Sequence, residues 1–232
     1  MTDRVDAVAV VVPARNEAAV IGDCLRAIAV ARLPVVRTGV PVVVVVVADS
    51  CGDQTADIAR AAGIHVQVLQ AGSVGAARAA GCAYALQVLA GVRRHALWLA
   101  STDADSVVPR DWISAQLSAA SAGYDAVAGL VSLGATPSPS AARRWDQAYA
   151  ASRRGTWLHE RVHGANLGVR ADAYCRAGGF DDVAAHEDVR LVRRLQAAGC
   201  PVAWPERPVV STSGRLRGRA AHGVAADLRR LA

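Results

Sequence analysis

Asp103 and Asp105 stand two residues apart, just beyond a short apolar run, Ala96–Ala100, that reads as a buried strand. In extended backbone, residues two apart face the same way, so the two carboxylates can address one point. Carboxylates held close repel unless a cation lies between them. Hard oxygen ligands suit magnesium or manganese, and a divalent ion there could carry a phosphorylated ligand. The same segment also fits a polar loop whose aspartates cap the next helix, which Pro109 opens. A second acidic pair, Glu187–Asp188, begins a helical pattern that runs to Ala198, with Val189, Leu191, Val192 and Leu195 apolar and Gly199 as its stop. Acids at a helix start are favoured by the helix dipole, so this pair suits either catalysis or capping.

The surrounding pattern says what would hold these acids. Val8–Val12, bounded by Pro13, and the six valines Val42–Val47 read as strands buried on both faces. Val66–Leu69 is a third strand, and the glycine-bearing loop Gly72–Gly75 precedes a helix over Ala76–Leu89. Asn16 is an expected N-cap for a helix presenting Ala18, Ile21, Leu25 and Ile28, ended by Pro34. Asp53 is an expected N-cap for a helix ending near Gly63. Strand alternating with helix predicts an α/β fold, Rossmann-like, with a mostly parallel central sheet flanked by helices. Ligands of such sheets bind beyond the carboxyl ends of the strands. The loops there hold Arg15, Asn16, Glu17, Asp49, Asp53, Asp103 and Asp105, which should therefore converge on one edge.

The second half is less regular. Asp125–Leu133 reads as one strand, Ala135–Ser140 as a flexible connector, and Ser140 as the cap of a helix to about Arg153 bearing Trp145 and Tyr149 on one face. His163–Gly168 reads as a turn into a strand, and Asp172–Ala177 as a short helix stopped by Gly178–Gly179. Val202–Trp204 and Val209–Ser211 follow as short strands. The whole is read as one domain, residues 1–232, with a nucleotide-binding half over about 1–110 and an acceptor and catalytic half over about 111–232.

Hydrophobic residues make up 53% of the 232, enough for a core, but aromatics are only 4%, so Val, Leu, Ile and Ala must fill it. All 26 basic residues are arginine, which reads as base composition and argues against over-reading any one of them. The net charge of +6 favours an anionic substrate or membrane surface, and no nucleic-acid motif accompanies it. Five scattered cysteines without a C-x-x-C pair suggest neither zinc nor a disulfide framework and point to a reducing compartment, hence a cytoplasmic location. The opening MTDRVDAVAVVVPAR is too short in apolar length for a signal peptide, and no apolar run approaches the ~20 residues of a membrane span. The chain is expected to be soluble, with peripheral membrane contact left open.

Five segments, in order, resemble the family 2 glycosyltransferases, which have the GT-A fold. They are Pro13–Glu17 after the first strand; Val47–Thr55, similar to V-D-D-x-S-x-D-x-T but with Ala48 for the first aspartate; Gly75–Gly81, similar to G-x-x-x-A-R-N-x-G; Asp103–Ala104–Asp105 as the D-x-D; and Gly178–Asp181 with Glu187–Leu191, similar to G-G-F-D…E-D-x-x-L. The resemblance covers residues 8 to 200 and looks like that of small soluble bacterial members.

It implies metal-dependent transfer of a sugar from a UDP- or GDP-sugar to an acceptor hydroxyl on a small molecule, saccharide or lipid head group. A divalent metal, Mn²⁺ or Mg²⁺, would stabilise the diphosphate leaving group. Asp105 is implied as its direct ligand, with Asp103 on the ribose or a metal-bound water and Ala104 between them. Pro13, Ala14, Arg15 and Glu17 are implied to line the nucleotide pocket. Asp49 would accept from the base or else cap a turn, and Arg78 would reach the base or diphosphate or else be a solvated helix arginine. Asp188 is the implied general base of an inverting displacement, ahead of Glu187. His163 and His186 lie near the expected acceptor pocket and the acidic pair. His222 is a speculative third metal ligand or a surface residue, and Arg215, Arg217 and Arg219 form either a lid over the diphosphate or a basic tail. Three other readings stay open: a retaining enzyme, a sugar-phosphate nucleotidyltransferase, and a non-catalytic nucleotide-sugar or head-group binder. The nucleotidyltransferases carry a lysine in their glycine-rich loop, and this chain has none.

Overall fold

β-Branched side chains fit the pleated surface of a sheet, and two valine-rich runs form its centre. These are β1 (Ala7–Ala14) and, after helix α1 (Ile21–Val36), β2 (Val42–Asp49). The chain continues through α2 (Thr55–Ala61), β3 (His65–Leu69), α3 (Val74–Val88) and β4 (Leu97–Ser101). Then come β5 (Ser106–Val107), α4 (Trp112–Ser121), β6 (Ala126–Ala128), β7 (Val131–Leu133) and α5 (Pro139–Ala151). β8 (Leu167–Arg170), α6 (Ala171–Arg176), α7 (Glu187–Ala197), β9 (Val202–Ala203) and β10 (Val210–Thr212) complete it. This computed structural model describes residues 4–134, 138–151, 162–215 and 228.

Seven strands form one sheet in the order β3-β2-β1-β4-β8-β6-β9. Four of its six pairings are parallel; only β8 runs against both its neighbours. The alternation of side chains along β1 divides the core into two layers. Val8, Val10 and Val12 pack with Ile21, Leu25 and Ile28 of α1 and Trp112 and Ile113 of α4. Ala7, Ala9 and Val11 pack with Ala77, Cys82 and Ala85 of α3 and Leu191 and Leu195 of α7. α3 lies close because Gly81 meets Val11 and Val47 directly; a Cβ there would fall inside van der Waals contact. Gly81→Ala is therefore expected to overpack this layer and cost about 1–3 kcal/mol. A thermal melt should register it at roughly 2–4 °C per kcal/mol.

Four local expectations are corrected. The run Asp125–Leu133 is two strands in two sheets: β6 joins the large sheet, whereas β7 pairs with β10 in a three-stranded sheet ordered β5-β10-β7. The break lies at Gly129–Leu130, where the buried Asn166 wedges in. Its Nδ2 donates to the Leu130 and Pro208 carbonyls, and it leaves room only for glycine at 129. Asn16 does not cap α1. It sits at φ 55°, its Oδ1 accepts from Gly52 N at 2.8 Å, and the Glu17 carbonyl takes the Val20 and Ile21 amides instead. Pro34 does not end α1, which runs to Val36, because buried Ala31 and Val35 hold its last turns to the sheet. Asp53 is not itself the N-cap of α2, a place Gln54 takes, but it serves the same end: its Oδ1 accepts from Thr55 N at 3.0 Å. No helix among the described residues is long and apolar enough to cross a membrane. Residues 135–137 of the expected connector and the expected end of α5 near Arg153 lie outside the described residues.

Candidate active site

The parallel strands deliver their loops to one edge, as such sheets must. The loop after β1 is stitched to the loop after β2. Glu17 N donates to Thr55 Oγ1 at 2.8 Å, Ala18 N to Asp53 Oδ2 at 3.0 Å, and Asn16 N to Cys51 Sγ at 3.3 Å. The loop after β3 is folded around Asp49, 4% exposed, whose carboxylate accepts from the amides of Ala71, Gly72 and Ser73 and from Ser50 Oγ at 2.8–3.0 Å. Three of these donors, from Ser50, Ala71 and Gly72, converge on Oδ1, and one, from Ser73, reaches Oδ2. Asp49 thus shapes the loop, as its turn-capping alternative expects, and its Oδ2, with one donor among the described residues, keeps an acceptor position. Pro13, Ala14 and Glu17 are buried and Arg15 is exposed, lying against Gly72.

Beyond β4 two ionic groups meet at the D-x-D. In the first, Arg215 holds Glu17 in a two-pronged pair, Nη1–Oε2 at 2.7 Å and Nη2–Oε1 at 2.6 Å, and reaches Asp105 Oδ2 at 3.0 Å. The small sheet makes this possible. β5 follows the D-x-D immediately and pairs antiparallel with β10, with Ser106 Oγ donating to Thr212 Oγ1 at 2.9 Å, so the residues after β10 arrive over the acids. In the second group, Arg78 of α3 pairs with both Asp103 and Glu187, and its Nε donates to Ser101 Oγ at 3.1 Å. Arg78 is 3% exposed. It is neither a solvated helix arginine nor open to a base or diphosphate, because two carboxylates occupy its fork. Asp188 is half-buried and accepts from Gly164 N and Val189 N, each at 2.7 Å. Gly164 in turn lies against the Arg78 guanidinium, so the turn that holds Asp188 abuts the second group.

Among the described residues, Glu17, Asp103, Asp105 and Glu187 share two guanidiniums, leaving two negative charges in surplus. The strain shows at Asp105: burial first, then the charge of Asp103, push its carboxyl up to about 6, with Glu17 adding to the push and Arg215 opposing it. Among the described residues no group of three or more His, Cys, Asp or Glu side chains would hold a metal unaided. The donor set instead fits magnesium or manganese, which take one or two carboxylates and complete their shell with substrate phosphates and water. His222, Arg217 and Arg219 lie outside the described residues.

The structure brings together Glu17, Asp103 and Asp105 as expected of the loops, with Ala104 buried between the aspartates. Sequence reasoning missed three features: Arg215 as the partner of Glu17 and Asp105, Arg78 as a buried bridge, and Gly164 as the contact of Asp188. Arg78 carried a sign of its position. Gly75 and Gly81 flank it at three residues either side, so it shares their packed face of α3.

A mostly parallel α/β sheet with carboxylates gathered beyond its strand ends is the architecture of GT-A glycosyltransferases. Residues 6–215 match the family described as glycosyltransferase like family 2, and the chain belongs to that family. No functionally curated protein matches it in sequence. Among solved structures it is similar to S. aureus TarS 1–349 in complex with UDP, at 13% identity and TM-score 0.63 over 89% of this chain and 60% of that one. It is similar to mannosyltransferase PcManGT from Pyrobaculum calidifontis in complex with GDP-Man and Mn²⁺, at 20% identity and TM-score 0.61 over 88% and 56%. It is also similar to glucosyl-3-phosphoglycerate synthase from Mycobacterium tuberculosis in complex with Mn²⁺, UDP and glucosyl-3-phosphoglycerate, at 17% identity and TM-score 0.60 over 97% and 77%. The chain thus spans less than two thirds of the length of the TarS fragment and the mannosyltransferase.

Proposed function

We propose that the chain transfers a sugar from a UDP- or GDP-sugar to an acceptor hydroxyl, with inversion, and needs a divalent metal to do so. The observation that carries this reading is the surplus, among the described residues, of two carboxylate charges at the D-x-D edge, in a chain of this family. Asp103 and Asp105 would hold the ion, which supplies charge neutralisation to the departing diphosphate. Solved relatives in fold carry UDP or GDP-Man with Mn²⁺, which supports that chemistry here. Pro13, Ala14, Arg15 and Glu17 wall the nucleotide, with the Asp49-held loop beside them.

Asp188 takes the proton from the attacking hydroxyl. Its half-buried carboxylate supports this over Glu187, which is 3% exposed and committed to Arg78. The acceptor is a small molecule, saccharide or lipid head group, met by the second half of the chain. Five unpaired thiols support a reducing, cytoplasmic setting.

Thermal melts with UDP, GDP, CDP and ADP, each with and without Mn²⁺, test the reading. At a hundred times its Kd one diphosphate should stabilise the protein by about 2.7 kcal/mol, a shift of roughly 5–10 °C, and only with the metal present. No shift with any of them, and no metal-dependent hydrolysis of UDP-glucose or GDP-mannose, would overturn it.

A further inference from the structure

We infer that Arg78 is a positioning residue through which Glu187 sets how strongly Asp103 attracts a divalent cation. The inference rests on the metal reading of the D-x-D. Arg78 reaches two carboxylates at once: Nη2 pairs with Asp103 Oδ1 and Nη1 with Glu187 Oε1, while Nε is anchored on Ser101 Oγ. Ser101 ends β4, so the guanidinium is fixed to the strand that carries the D-x-D. On its remaining sides lie the Phe180 ring, 6.0 Å from the guanidinium carbon, and Gly164, where any side chain would collide with it. The planar fork of arginine suits this double pairing; a lysine ammonium could not reproduce it.

The electrostatics follow from burial. Glu187 is 3% exposed, so water does little to screen its charge, and Arg78 divides its attraction between Glu187 and Asp103. Asp103, by contrast, keeps 35% of its side chain exposed, facing whatever cation the edge receives. With Glu187 neutral, the full charge of Arg78 falls on Asp103 and competes with a metal there. Glu187 thereby tunes a cation it does not touch. A purely structural ion pair predicts no such coupling.

The test is the affinity for Mn²⁺ alone, read from the electron paramagnetic resonance of the unbound ion, in the full chain. Glu187→Gln is expected to weaken Mn²⁺ binding roughly tenfold, within the range seen for outer-shell partners of metal ligands. The double variant Arg78→Gln/Glu187→Gln removes the competing cation and should recover affinity to within about threefold of the parent, the recovery that a structural role does not predict. Should Glu187→Gln fail to fold, Glu187→Asp carries the same test: the charge stays but its reach shortens, and a loss of about two- to fivefold is expected. Parent-like Mn²⁺ affinity in folded Glu187→Gln or Glu187→Asp overturns the inference while leaving the metal reading standing. No Mn²⁺ binding by the parent overturns both.

Discussion

Asp188→Asn is expected to lower sugar transfer about 100- to 10,000-fold, the usual worth of a positioned general base. Binding of the nucleotide diphosphate with Mn²⁺ should survive, because Asp188 belongs to neither ionic group around the D-x-D. The isosteric amide keeps one acceptor oxygen but must turn its NH₂ toward either the Gly164 or the Val189 amide. That donor–donor contact costs about 1–3 kcal/mol. A moderate fall in melting temperature is therefore expected beside the large fall in kcat, and the two are separable. Metal-dependent hydrolysis of UDP-glucose or GDP-mannose, compared between parent and variant after both are shown folded, measures the effect. Equal rates would remove Asp188 from this role. The anomeric configuration of the product, read by NMR, checks the direct displacement that a base on the far face implies; retention would exclude it.

The parts of this molecule legible in the sequence are those written into local pattern. Val42–Val47 could only be a buried strand, and the loops after a parallel sheet must share an edge, so the meeting of Glu17, Asp103 and Asp105 followed without any long-range information. What was not legible was set by contacts between distant residues. Within Asp125–Leu133 only Gly129 hints at a break, and it does not say that the run divides between two sheets; Asn166, far along the chain, packs into that break. The pairing of β5 with β10 joins short segments 106 positions apart, too brief to read as partners, yet it helps deliver Arg215 to Asp105. Arg78 misled for a different reason. A charged side chain on a helix is usually at the surface, and only its small neighbours at three-residue spacing hinted that α3 packs on that side.

Asp105→Asn is expected to abolish Mn²⁺ stabilisation and lower turnover roughly 100- to 1,000-fold, several kcal/mol of lost charge stabilisation on the leaving group. Its effect on the metal-free protein should run the other way. Burial and Asp103 raise the Asp105 carboxyl from 3.8 to about 6, so the folded state holds its proton more tightly than the unfolded chain does. Keeping Asp105 charged therefore costs nothing below pH 3.8, costs progressively more as pH rises to about 6, and reaches its full value above that. That full cost is on the order of 3 kcal/mol. The neutral amide escapes it but forfeits the pairing with Arg215, so at pH 7 the variant should melt no lower than the parent, and at pH 4 the two should converge. The same proton competes with the metal: below pH 6 the affinity of the parent for Mn²⁺ should fall about tenfold per unit. A carboxylate less stable with its charge than without it is what the proposed cation-binding role predicts, and a role in holding the fold together does not. A marked fall in the metal-free melting temperature of Asp105→Asn at pH 7, with Mn²⁺ stabilisation intact, would show that Asp105 serves the fold through Arg215 and not the metal.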